Sequence, residues 1–101
     1  MSDMSDGIEE MGWSELQSRW HSLGRYPPCP SSVRHIDLVL LDANIAGYLT
    51  RYFKSEGKLP VYEKYRLGLL HSELEKVIPD LTDDCLERFA ELEGIVKTVL
   101  R

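Results

Sequence analysis

His35-Ile36-Asp37-Leu38-Val39-Leu40-Leu41-Asp42-Ala43-Asn44-Ile45-Ala46-Gly47-Tyr48-Leu49-Thr50-Arg51-Tyr52-Phe53 is the stretch that decides the fold of this chain. Placed on a helix it is apolar on most faces, and only Asp37, Asn44 and Arg51 draw a narrow polar line along it. A helix that is apolar nearly all round is one buried against several neighbours. The stretch therefore predicts the centre of a small helical fold, as a helix from about Val33 to Lys54 that stops at Gly57. A competing reading makes residues 36–41 a short strand, with Asp42 capping a shorter helix. It lacks a second strand to pair with.

Working outward, Trp13, Leu16, Trp20 and Leu23 recur at helical spacing and predict a first helix, beginning at Ile8 or Gly12 and closed by Gly24. Arg25-Tyr26-Pro27-Pro28-Cys29-Pro30-Ser31-Ser32 follows as a rigid connector, since proline fixes φ and donates no hydrogen bond. Ser31 or Ser32 is placed to cap the central helix. Pro27 and Pro30 also meet the minimal PxxP spacing, but the flanking arginine is misplaced for that kind of ligand.

On the other side, Leu59-Pro60 opens a third helix. Its core stripe is Leu67, Leu70, Leu74, Val77 and Ile78, broadened by Tyr62 and Leu69, and Pro79 ends it. Thr82 then caps a fourth helix, with Asp83 and Asp84 at the positive end of its dipole. Cys85, Leu86, Phe89, Leu92, Val96, Val99 and Leu100 are its apolar face. These elements predict an all-α fold, a small antiparallel four-helix bundle of three long helices and a shorter N-terminal one. Residues 8–101 form the single domain, preceded by a disordered, acidic stretch over residues 1–7.

The chain of 101 residues carries a net charge of −5, which disfavours nucleic acid and anionic membranes as partners. No uncharged apolar run approaches the roughly 20 residues of a membrane span, and the acidic N-terminus does not resemble a signal peptide. Two cysteines, Cys29 and Cys85, do not make a disulfide scaffold, so a cytoplasmic location is expected. Cys85 reads as core, and Cys29, held between prolines, as an exposed thiol.

The charge is uneven. Residues 25–66 hold seven basic and four acidic side chains, whereas residues 67–101 hold four basic and eight acidic. Within the basic part, Arg51, Lys54, Lys58, Lys64 and Arg66 alternate with Tyr48, Tyr52, Phe53, Tyr62 and Tyr65 around the second helix–helix turn. Cations beside aromatic rings suit an acidic protein partner or a small anion. Arg51, Lys54, Lys58, Tyr62, Lys64 and Arg66 are accordingly the candidate partner- or anion-binding residues. The bland reading has the rings closing the core and the charges solvating it.

Asp42 falls among Leu38, Val39, Ile45 and Leu49 on the central helix, and a carboxylate there must be paired, hydrogen-bonded or protonated. With His35 and Tyr48 it makes a candidate small-molecule pocket. The competing explanation is a salt bridge to a neighbouring helix. His21, Cys29, His35, His71 and Cys85 match no metal pattern, so neither a metal nor a cofactor is expected, and no catalytic set converges. The function expected is a non-enzymatic one, through protein–protein interaction. Small acidic helical inhibitors and immunity proteins share this size and charge, an analogy of bulk properties alone. A small-molecule-binding domain is the alternative. Trp13 and Trp20, aromatic residues of the kind enriched at interfaces, suggest a homodimer.

Overall fold

In the computed structural model, which describes residues 12–101, the central apolar stretch becomes a helix only from Leu38. The disordered start over residues 1–7 and the helix onset at Ile8 lie outside the described residues. In chain order the elements are α1 (Trp13–His21), β1 (Ser32–Val33), β2 (Ile36–Asp37), α2 (Leu38–Lys54), α3 (Val61–Val77), a 3-10 turn (Ile78–Asp80) and α4 (Asp83–Val99). Helix makes up 70% of the described residues and the strands are two residues each, so the class is all-α.

The five residues that the helix reading added at the front form a hairpin instead. Ser32 pairs with Asp37 and Val33 with Ile36, antiparallel. Between them Arg34 and His35 both take positive φ, 52° and 67°. Two-residue hairpin loops need that backbone to match the strand twist. The usual asparagine or glycine is missing here, so the turn carries no sequence signal. The cap of α2 is then Asp37, which accepts from the Leu40 N–H at 2.9 Å, rather than Ser31 or Ser32. The partner strand that the competing reading lacked is β1, although the strand it pairs with is far shorter than residues 36–41.

Nor is α2 buried all round. Leu38, Leu41, Asp42, Ile45 and Leu49 face the core, while Val39 and Leu40 are 58% and 55% exposed. Leu67, Leu74 and Val77 of α3, Cys85, Phe89, Leu92, Ile95, Val96 and Val99 of α4, with Leu16 and Leu81, complete the interior. Packing runs α2 on α3, α3 on α4 and α1 on α4. Pro79 does not simply stop α3. It sits in the 3-10 turn that leads on to Leu81, and Arg34 of the hairpin reaches Asp80 there at 2.9 Å. Thr82 holds the N-cap position of α4 without a side-chain cap bond.

α1 ends at His21, earlier than expected, and Gly24 (φ 73°) lies in the chain beyond it. Only Leu16 of this helix is buried. The helix is held by Arg19, whose guanidinium donates to both carboxylate oxygens of Glu91 on α4, at 2.5 and 2.6 Å. That bond holds the Glu91 carboxyl below its ordinary value and raises Arg19 above its own.

The cysteine expectation is corrected. Cys29 and Cys85 form a disulfide, with Cα atoms 5.3 Å apart, so neither is a free thiol. It ties the proline connector to the first turn of α4. Bridged cysteines persist in oxidising compartments. The cysteine argument for a cytoplasmic location therefore falls away. Among the described residues, no helix is long and apolar enough to cross a membrane.

Candidate interaction surface

The turn from α2 to α3 is built by its own residues. Gly57, with φ 90°, donates its N–H to the Tyr52 carbonyl at 2.8 Å, and Glu56 also has positive φ. Glycine accepts this conformation without strain. A Cβ at Gly57 would lie 3.3 Å from the Trp13 ring, so the residue also makes room for α1. The Ser55 hydroxyl, with one proton to donate, lies within reach of the carbonyls of Tyr52 and Lys58 and accepts from the Lys58 N–H. Pro60 then sits at the N-cap of α3, where its missing N–H costs nothing.

From this anchored start, α3 shows apolar side chains on two faces. Leu67, Leu74 and Val77 point inward and are wholly covered. Tyr62 and Leu69 lie roughly 200° round the helix from Leu67, at about 100° per residue. The structure leaves Val61 83%, Tyr62 65%, Tyr65 65% and Leu69 50% exposed. Tyr62 and Leu69 therefore do not broaden the core stripe. They form, with Val61 and Tyr65, a second stripe with no cover among the described residues. Grouping Leu69 with Leu67 and Leu70 by hydrophobicity alone hid it; its wheel position was the available signal.

The six candidate partner-binding residues are only partly brought together. Arg51 lies over the Tyr48 ring at 4.8 Å and bonds Glu63 of α3 at 3.0 Å, which closes the α2–α3 seam. Arg66 lies over Tyr62, 5.6 Å from the ring centre, and donates to its hydroxyl at 2.8 Å. Arg66 and Tyr62 thus belong to the exposed stripe, while Arg51 serves the fold. Lys54 and Lys58 are exposed and Lys64 half-buried, none with an ion-pair partner among the described residues. Tyr52 and Phe53 turn inward under the tryptophans, and burial pushes the Tyr52 hydroxyl up from its ordinary value.

The pocket residues are dispersed. Asp42 is 9% exposed, and both of its oxygens accept from Arg88 of α4, at 3.0 and 3.2 Å. This is the salt bridge to a neighbouring helix. Arg88 also reaches the carbonyls of Leu23 and Gly24, so one guanidinium joins α4, α2 and the connector. His35 is exposed at the hairpin turn, and Tyr48, six residues on from Asp42, points to a different side of α2. An open groove of about 840 Å³ runs instead between α1, the connector and α4, where Arg19, Arg88 and Glu91 face it with their charges already paired.

Trp13 and Trp20 pack within the chain. Trp13 meets Tyr52 and Phe53 at ring distances of 5.8 and 5.5 Å, and Trp20 stacks on Phe53 at 5.7 Å. Trp13 keeps 41% exposure.

No family model, no curated protein and no solved structure matches the chain.

Proposed function

We propose that the chain is a non-enzymatic interaction module that docks a protein partner on the outer face of α3, on a scaffold of four helices arranged as a small antiparallel bundle. The observation that carries this is the exposure of Val61, Tyr62, Tyr65 and Leu69, four large apolar or aromatic side chains within nine residues of one helix. Scattered exposed apolar residues need no explanation, but a contiguous stripe marks a surface meant to be covered. Tyrosine and arginine are also the residue types enriched at such interfaces. With Lys64 and Arg66 on the same helix and Lys58 just before it, the partner is a protein offering an apolar surface edged by carboxylates. The alternative, a small-molecule site at Asp42, has no observation in its favour, because Arg88 already occupies that carboxylate.

The test is native mass spectrometry of the chain purified gently from its host, beside a Tyr62→Ser, Tyr65→Ser, Leu69→Ser variant. The reading expects one co-purifying protein chain that the variant loses while its circular dichroism is unchanged. A bare chain, or a partner retained by the variant, contradicts it.

A further inference from the structure

His71, Glu75 and Glu93 converge on the seam between α3 and α4. His71 and Glu75 are four residues apart on α3, which places them one above the other on one helix face. Glu93 comes from α4. One ligand-type atom from each lies within 4.8 Å of the other two, and His71 Nε2 is 2.8 Å from Glu93 Oε2. The His71 and Glu93 side chains are only 15% and 21% exposed, so the neighbouring helices hold them in place. Among the described residues neither glutamate pairs with a lysine or arginine. Two carboxylates thus face one imidazole with no fixed cation between them.

We propose that this trio binds a divalent first-row transition cation of the Zn²⁺ type. An imidazole nitrogen with two carboxylate oxygens is a donor set such ions accept, and the nitrogen argues against Ca²⁺ and Mg²⁺, which take oxygen. At bond lengths of about 2.0–2.2 Å, neighbouring ligand atoms of a tetrahedral site stand about 3.4 Å apart. The observed spacing reaches that geometry if the His71–Glu93 contact opens slightly and Glu75, which is exposed and uncommitted, swings in. On binding, the proton between His71 Nε2 and Glu93 passes to solvent or to Nδ1, and the cation takes its place on the nitrogen lone pair and the carboxylate oxygen. Three protein ligands leave a further position for water or for a donor from outside. The histidine and cysteine spacing of the sequence gives no sign of the site, because two of its three ligands are glutamates on separate helices.

The experiment titrates the full, tag-free chain with ZnCl₂ by calorimetry and with CoCl₂ by visible absorption. The proposal expects one ion per chain and a cobalt ligand-field spectrum. His71→Ala, Glu75→Gln and Glu93→Gln each weaken binding by about tenfold or more, and His21→Ala and His35→Ala leave it unchanged. Glu75→Gln keeps the test sound if His71→Ala disturbs the fold, since that side chain is exposed and makes no ion pair among the described residues. Absence of saturable one-to-one binding, or equal binding by the wild type and all three ligand variants, overturns the proposal.

Discussion

Asp42 shows how a single residue reports its surroundings. A carboxylate at a core position of α2 had to find a partner, and it found Arg88, with side-chain exposures of 13% and 11%. Removing one member of such a pair leaves the other charge buried and alone, a loss of about 3–5 kcal/mol. Asp42→Ala is therefore expected to lower stability by about 3 kcal/mol or more in urea unfolding. A change under about 1 kcal/mol would match an exposed pair instead. The sequence could state the need for a partner, but not that Arg88 would meet it, because the partner's identity depends on how α4 lies against α2. The same limit applies to Tyr62 and Leu69. Their hydrophobicity is plain in the sequence, whereas their direction depends on which face of α3 the core takes.

Among the α-helices, α1 buries the fewest residues. It buries one residue, Leu16, and depends on ring contacts and on the Arg19–Glu91 pair. The Glu91 carboxyl is held below its ordinary value of 4.5. A group lowered on folding contributes stability above its unfolded pKa and loses it as pH falls through the folded one. Acidification from pH 5 through the range below 4.5 should therefore release α1 before the other helices. Tryptophan fluorescence should shift to the red over that range, while Glu91→Gln should show the shifted spectrum already at pH 7. An identical acid profile in wild type and variant would show that the pair does not hold the helix. Helix periodicity, with the Pro60 and Thr82 boundaries, made α3 and α4 legible from the sequence. The hairpin was not, since its turn uses Arg34 and His35 at positive φ where the sequence code expects glycine or asparagine.

For the molecule as a whole, the Cys29–Cys85 bridge closes a loop across 56 positions, from the connector to α4. The loss of chain entropy in the unfolded state is worth about 4 kcal/mol for a loop of that length. Reduction with dithiothreitol, or a Cys29→Ser, Cys85→Ser double variant, is expected to lower the unfolding midpoint accordingly, with a larger m-value because the unbridged unfolded chain exposes more surface. A midpoint that does not move would mean the connector is pinned without the bridge. Sequence reasoning counted two cysteines as too few for a scaffold and could not see that folding brings them together. The all-α class, by contrast, was legible, because it follows from periodicity summed over long segments.

The central claim is that the outer face of α3 is covered by a protein partner, and site-specific photo-crosslinking in the host tests it most directly. A photoreactive amino acid is placed in turn at Tyr62, Tyr65 and Leu69, and at the exposed control positions Glu87 and Lys97 on α4. The account predicts one and the same adduct from the three α3 positions and none from the two controls. No adduct from α3, or the same adducts from all five positions, would contradict it.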